Sequence, residues 1–275
     1  IAPIANANPD PTKQQGAPAR AYGVRSRFEK LKRQLIPSRY PTATASWTPL
    51  GELDGVITPS ALHFERHHGG IPDIDPDAHQ LLVHGLVERP LVFSIDDLKR
   101  FPITQKIYFI ECSGNGYPEW HKPSGENVQQ THGLTSCSEW AGVSLKTVVG
   151  ETGVQADAKW IIAEGADGAA MTRSVPIEKC LDDVMLAYAQ NGEALRPEQG
   201  YPVRLLVPGF EGNISVKWLR RLKVTDKPYY TREETSKYTD LMPDGRAREF
   251  SLVMEAKSVI TSPSAGQNLM APGYQ

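Results

Sequence analysis

Proline (22 residues) and glycine (23 residues) are scattered along the whole 275-residue chain, so no long segment can keep a single helical or strand period. Such punctuation fits many turns joining short strands and disfavours a helical bundle. Residues 80–87, 106–111, 160–163, 184–189, 203–207 and 215–224 read as strands. Ser94-x-x-Asp97 and Thr231-x-x-Glu234 are capping signatures of short helices, the second ending near Tyr238. Residues 144–149, stopped by Gly150, and residues 176–180, opened by Pro176, read as two more helices. Asn191-Gly192 marks a tight turn. Strands and short helices alternate irregularly, with no βαβ period and no internal repeat. That predicts an α+β fold, mixed sheets with short helices, and not a doubly wound sheet.

The composition is globular, at 40% hydrophobic and 23% charged, and the length allows one large or two ordinary domains. A net charge of −2 provides no positive field for phosphates, so no nucleic-acid partner is expected. No uninterrupted apolar run is long enough to span a bilayer, so no membrane insertion is expected. The chain begins with Ile and has no charged-then-apolar leader, so either a leader has been removed or the sequence has been trimmed. Residues 1–45 read as an extended N-terminal arm, of which 1–19 is rich in Pro, Ala, Asn and Gln. Residues 20–39 carry Arg20, Arg25, Arg27, Lys30, Lys32, Arg33 and Arg39 against Glu29 alone. Two readings stand for that stretch, a solvated helix face and a docking patch for an acidic partner.

Three constellations can carry chemistry. Cys112 ends an apolar strand and opens a Ser-Gly-Asn-Gly turn in "FIECSGNG", where backbone can approach a ligand closely. A thiolate there is a soft metal ligand or a nucleophile; a buried structural thiol is the plainer alternative. "LHFERHHGGIPDIDP" crowds Arg66 with His63, His67 and His68, which suits an anion better than zinc. "PEQGYPVRLLVPGFEGNISVKWLRRL" places Arg204 and Lys217 inside apolar strands, where each needs a bound anion or an internal ion pair. The remaining cysteines, Cys137 in a Ser/Thr loop and Cys180 at a helix end, match no CxxC pattern and are expected to stay unbridged.

Taken together, residues 63–257 resemble the molybdopterin domain of the sulfite oxidase family. Phe64-Glu65-Arg66-His67-His68 resembles its F-x-R-x-H loop, and Glu111-Cys112-Ser113-Gly114-Asn115 its C-[AS]-G-N turn. Trp140-Ala141-Gly142-Val143 with Leu145, Glu164-Gly165-Ala166-Asp167, and Gly200-Tyr201-Pro202-Val203-Arg204 followed by Val207-Pro208-Gly209 continue the match in order, and Ser215-Val216-Lys217-Trp218-Leu219 closes it. Within the family, "HHGGIPDIDP", "THGLTSCSEW" and "TREETSKYTDLMPDG" resemble the molybdenum subunit of bacterial sulfane dehydrogenases.

The resemblance implies a molybdenum-molybdopterin cofactor whose metal is held by Cys112. It implies that Phe64, Glu65, Arg66, His67, His68, Asp167, Arg204, Ser215, Val216 and Lys217 hold the pterin and its phosphate. Arg66 matches the substrate-pocket arginine, and Tyr238 corresponds, within a residue or two, to the active-site tyrosine. Gln199 stands where the family usually has His and can still donate a hydrogen bond. Tyr117 stands where sulfite oxidases carry a second pocket arginine, which points away from free sulfite. The implied reaction is oxo transfer to sulfane sulfur on a carrier protein, with electrons passed to a c-type cytochrome subunit in the periplasm. A sulfite dehydrogenase of the same family and a cofactor-free binding module are the alternatives, and a homo-oligomer is left open. Residues 46–249 form the expected molybdopterin-binding domain, and 250–275 resemble the start of a truncated immunoglobulin-like dimerisation domain, expected as an incomplete strand or extended tail.

Overall fold

The computed structural model describes residues 13, 15–121, 127–264 and 266–267, so parts of both terminal segments singled out above lie outside the described residues. Contacts divide the chain into two units, residues 1–31 and 32–275. In the first, Arg25 pairs with Glu29 at 3.1 Å across a turn, and no helix forms over the described part of the basic stretch. Everything below concerns the second unit.

Among the described residues fifteen strands occur in order: β1 (Gln34–Ile36), β2 (Ala45–Trp47), β3 (Glu65–Arg66), β4 (Leu81–Gly85), β5 (Leu91–Phe93), β6 (Thr104–Glu111), β7 (Thr135–Ser144), β8 (Trp160–Gly165), β9 (Thr172–Pro176), β10 (Met185–Gln190), β11 (Glu193–Ala194), β12 (Arg204–Leu206), β13 (Leu219–Thr225), β14 (Asp240–Leu241) and β15 (Ala247–Arg248). One five-stranded sheet runs β5-β4-β13-β8-β9, with β4 and β13 parallel. The other runs β11-β10-β7-β6, and β12 adds to β10. β1-β2-β3 form a small antiparallel sheet. Helices are short, so the expected α+β architecture of mixed sheets holds.

The larger core cluster joins Leu81, Val83, Ile161 and Leu222 of the first sheet to Val143, Leu186 and Leu205 of the second. The second sheet is also buried on its other face, where Met185, Ala187, Trp140 and Leu206 pack with Phe64, Ile110 and Cys112. Strand alternation therefore assigns neighbouring residues to different cores, and Cys112 belongs to the second. Trp140 is fully buried, worth about 4–6 kcal/mol of transfer free energy. The Trp-Ala-Gly run keeps its glycine because a Cβ on Gly142 would lie 2.0 Å from the Leu186 carbonyl oxygen across the β7–β10 ladder.

Local signals behaved as expected where they were local. Both capping boxes form, Ser94 with Asp97 ahead of helix Ile95–Lys99 and Thr231 with Glu234 ahead of helix Arg232–Ser236. Asn191 (φ 50°) and Gly192 (φ 78°) make the turn between β10 and β11. Pro176 caps its helix, Ile177–Asp182, one position earlier than predicted.

Two elements differ from the sequence reading. Residues 215–218 are not strand: Val216 N–H donates to the Ile214 carbonyl at 2.9 Å and Trp218 adopts φ 52°, so the backbone bends before β13 begins at Leu219. Lys217 thereby leaves the sheet. Cys137 lies in β7, not in a loop; the buried neighbours Ser136 and Ser138 made that segment look polar. They are satisfied inside the protein: Ser136 accepts from Phe64 N–H at 3.0 Å, and Gln190 donates to Ser138 at 2.9 Å. All three cysteines are free thiols.

Candidate active site

The loops at the ends of β3, β6, β8 and β12 converge with the 215–218 bend on one cleft of about 650 Å³, open solvent at its mouth included. All the predicted site residues line it except Glu65 and Tyr117.

At the Cys112 end, the chain leaves β6 and turns at once: Asn115 N–H returns to the Cys112 carbonyl at 2.9 Å. Burial pushes the Cys112 thiol up, while the Gly114 N–H and the Arg66 charge favour the thiolate. A metal bonded to the sulfur would overcome that burial cost. Tyr238 follows helix Arg232–Ser236 and meets His68 Nε2 at 3.2 Å. Burial holds the Tyr238 phenol above its ordinary value, and burial with the Arg66 charge pulls His68 down to about 4, so both are neutral at pH 7. Arg66 itself donates to the His67 carbonyl.

The opposite part is a dense polar network. Arg204, 3% exposed, donates from Nη1 to the Gln199 carbonyl and from Nη2 to the Ser215 carbonyl, each at 3.0 Å. Burial lowers it to about 9, still a cation at neutral pH. Gln199 Nε2 donates to the Phe64 carbonyl at 3.0 Å, and Ser215 Oγ accepts from Val207 N–H at 3.0 Å. Lys217 donates to the carbonyls of Arg66 (3.2 Å) and Glu198 (2.9 Å) and meets His67 Nδ1 at 2.8 Å. His67 Nε2 meets Glu65 Oε2 at 2.7 Å, so with Nε2 donating to the carboxylate, Nδ1 accepts from Lys217. Glu65 stands behind the cleft and also pairs with Arg33, which bridges on to Glu198 at 3.5 Å. Asp167 Oδ1 accepts from Met171 N–H at 3.0 Å and shapes its loop.

Tyr117 falls outside the cleft, at the start of helix Tyr117–His121 and 61% exposed. The turn explains this: Gly116 N–H bonds the Thr131 carbonyl at 2.6 Å and carries the following residues away from Cys112. Five lining residues were not singled out, Ile110, Met171, Gly212, Asn213 and Trp218, and His63 was flagged only as a histidine of the anion-suited loop. Asn213, in the quoted "FEGNIS" run, was the legible one; it donates to Ser113 Oγ at 3.0 Å. A Cβ on Gly212 would lie 2.7 Å from the Glu111 carbonyl oxygen, so only glycine lets this loop close over the end of β6.

Arg204 Nε, His63 Nε2 and Asn213 Oδ1 are buried without hydrogen-bond partners. One donor and two acceptors on residues lining one cleft, beside a buried thiol, fit a heterocycle with both kinds of group and a soft metal. Among the described residues no group of three or more His, Cys, Asp or Glu could hold a metal, so the zinc alternative for residues 63–68 has no ligand set.

His63 gives a prediction. Its Nδ1–H donates to the Phe64 carbonyl at 3.0 Å, and burial with the Arg204 and Lys217 charges pulls it down to about 3. The folded state then refuses a proton that the unfolded state takes below about pH 6.5, so stability falls as pH drops from there toward 3. Urea melts between pH 5 and 6 should lose about 1.4 kcal/mol per pH unit from this residue, and His63→Gln should flatten that slope. Equal slopes in both proteins would refute it.

Comparison with known proteins now bears on this cleft. Residues 68–233 match the oxidoreductase molybdopterin binding domain. The crystal structure of the sulfane dehydrogenase SoxCD from Paracoccus pantotrophus superposes with a TM-score of 0.88 at 50% identity, covering 92% of this chain and 66% of that one. Mitochondrial sulfite oxidase of Rattus norvegicus is 32% identical over 231 residues, 78% of this chain and 42% of that protein. NADH nitrate reductase of Ulva prolifera is 34% identical over 189 residues, 63% of this chain and 22% of that protein. This chain thus spans less than half of those curated relatives. With a cleft that suits the cofactor and this extent of matching sequence and fold, the chain belongs to the oxidoreductase molybdopterin-binding family, as a sulfite-oxidase-type domain with a molybdenum cofactor.

Proposed function

We propose that this chain is the molybdenum-bearing part of a periplasmic dehydrogenase that oxidises sulfane sulfur on a carrier protein and passes electrons to a c-type cytochrome. The observation that carries this reading is the charge around Cys112. Arg66 is the cation acting most strongly on it, and it is opposed by Glu211 and Glu111. Glu111 is already paired with Lys257 at 2.9 Å, so a sulfite dianion would meet Arg66 with Glu211 opposing it, whereas a sulfur chain brings less charge to the same place. Tyr117, where sulfite oxidases are expected to carry a further arginine, contributes no charge and lies outside the cleft. The 50% identity to a sulfane dehydrogenase supports the same choice. The cytochrome and the periplasm follow from the resemblance of residues 231–245 to that enzyme's molybdenum subunit.

The bound cofactor supplies oxo transfer and takes up two electrons. Cys112, Arg66 and Tyr238 are the residues placed to act on the reaction. Arg66 orients the terminal sulfur and stabilises the oxyanion that develops on it. With the proton on His68 Nε2 donated to the Tyr238 oxygen, the phenol O–H stays available to the same oxyanion. Arg204, Gln199, Ser215, Val216, Lys217, His67, His68, Phe64 and Asp167 hold the cofactor, with Glu65 fixing His67 from behind.

Steady-state oxidation of carrier-bound sulfane and of sulfite, with cytochrome c as acceptor, tests this directly. Sulfane should show the higher kcat/KM, by about tenfold or more, because the cleft offers the sulfite dianion only Arg66 near Cys112. A higher kcat/KM for sulfite would make the chain a sulfite dehydrogenase.

A further inference from the structure

The turn that carries Cys112 is braced by a residue of the C-terminal segment, Lys257. Glu111, the last residue of β6 and 5% exposed, immediately precedes Cys112. Its Oε1 accepts from Asn115 Nδ2 at 2.8 Å and from Lys257 Nζ at 2.9 Å. Asn115 closes the turn, through its N–H to the Cys112 carbonyl at 2.9 Å and through Oδ1, which accepts from Leu134 N–H at 3.1 Å. The Leu134 carbonyl in turn accepts the Cys112 N–H at 2.9 Å. One carboxylate oxygen therefore ties the C-terminal segment to both sides of the turn.

That segment is held in place independently of Lys257. Glu211 N–H donates to the Leu252 carbonyl at 2.7 Å, and Met254 N–H to the Gly209 carbonyl at 2.9 Å. Lys257 then reaches across a second cleft, lined by Phe109, Asn115, His132 and Met254, to meet Glu111. A carboxylate this buried, left without its cation, is costly, and the strain would fall on the Asn115 bonds that shape the turn.

We propose that Lys257 is a positioning residue for the metal ligand: by holding Glu111 it fixes the hydrogen-bonded turn that aims the Cys112 sulfur. The proposal rests on Cys112 being the ligand. Groups behind a ligand typically alter metal retention tenfold to a hundredfold, and the Lys257 side chain is 40% exposed, so the low end applies.

The test is the rate at which the cofactor-loaded chain loses molybdenum, read as metal retained per chain after timed incubation and gel filtration. Lys257→Met should release it about tenfold faster, and Lys257→Arg should stay near the parent rate. Adding Glu111→Gln to Lys257→Met should restore most of the retention, since the amide keeps the bond to Asn115 and leaves no uncompensated charge. Release from Lys257→Met at the parent rate would overturn the proposal. So would a faster release that Glu111→Gln fails to suppress, because Lys257 would then serve only to dock the tail. Cys112→Ser is the control: if it retains molybdenum like the parent, the reading of Cys112 has failed, which is a separate result from failure of the Lys257 role.

Discussion

Cys112→Ser is expected to abolish sulfur oxidation, lowering turnover by roughly a thousandfold or more, and to reduce molybdenum well below one atom per chain. A serine keeps the shape of the turn, because Asn115 and Leu134 hold it through Cys112 backbone groups and not through the sulfur. It removes the soft donor. Cys112 is itself only 8% exposed and belongs to the apolar cluster of Ile110, Leu134 and Trp140, so water is a poor substitute for the missing bond. Metal analysis with steady-state assays decides the matter; a Ser variant with full activity and full metal would remove Cys112 from the mechanism.

The largest expected loss of stability is at Glu234, in a position that looks from sequence like an ordinary helix cap. Glu234 is fully buried and accepts from Ser174 N–H at 2.6 Å, Ser174 Oγ at 3.2 Å and Thr231 N–H at 3.1 Å. It also faces Arg173, 1% exposed, at 3.6 Å. Burial lowers the Arg173 pKa and Glu234 opposes that shift. Arg173 Nε and Nη1 have no hydrogen-bond partner, so Glu234 is the main compensation for a buried cation. Glu234→Ala should cost about 3–5 kcal/mol, which for a domain of this size lowers Tm by roughly 10 °C. The effect should reach the cleft. Arg173 lies 4.8 Å from the centre of the Tyr238 ring, and Tyr238 N–H is held by the Glu233 carbonyl at 3.1 Å. KM should therefore rise at temperatures where the variant is still folded. A Tm within 2 °C of the parent would show that the pair carries no such weight.

These two residues mark the boundary between what is legible in the chain and what is not. Ser94 with Asp97, Thr231 with Glu234, and Asn191-Gly192 act through neighbours one to three positions away, and each forms as the sequence predicts. The Cys112 turn is local in the same way. Arg66, Arg204 and Lys217 stood out as charges set among apolar or Gly-rich segments, but only the family resemblance gathered them with Cys112 into one site; the structure places them on one cleft.

Other features arise only across long separations. Ser136 and Ser138 read as loop, yet they lie in a central strand because Phe64 and Gln190, more than fifty residues away, satisfy their hydroxyls. Arg33 reads as surface charge, yet it pairs with Glu65 and Glu198. Tyr117 reads as a pocket residue by its distance from Cys112 along the chain, yet the turn carries it out of the cleft. The sequence by itself determined the α+β class and the caps and turns, because each depends on residue type and short spacing; the residues proposed to hold the cofactor came from the resemblance of residues 63–257 to a known family. Only the tertiary structure decided that Glu234 underlies Tyr238, that Lys217 leaves its strand and that Lys257 braces Cys112, because burial and pairing between distant segments have no short-range signature.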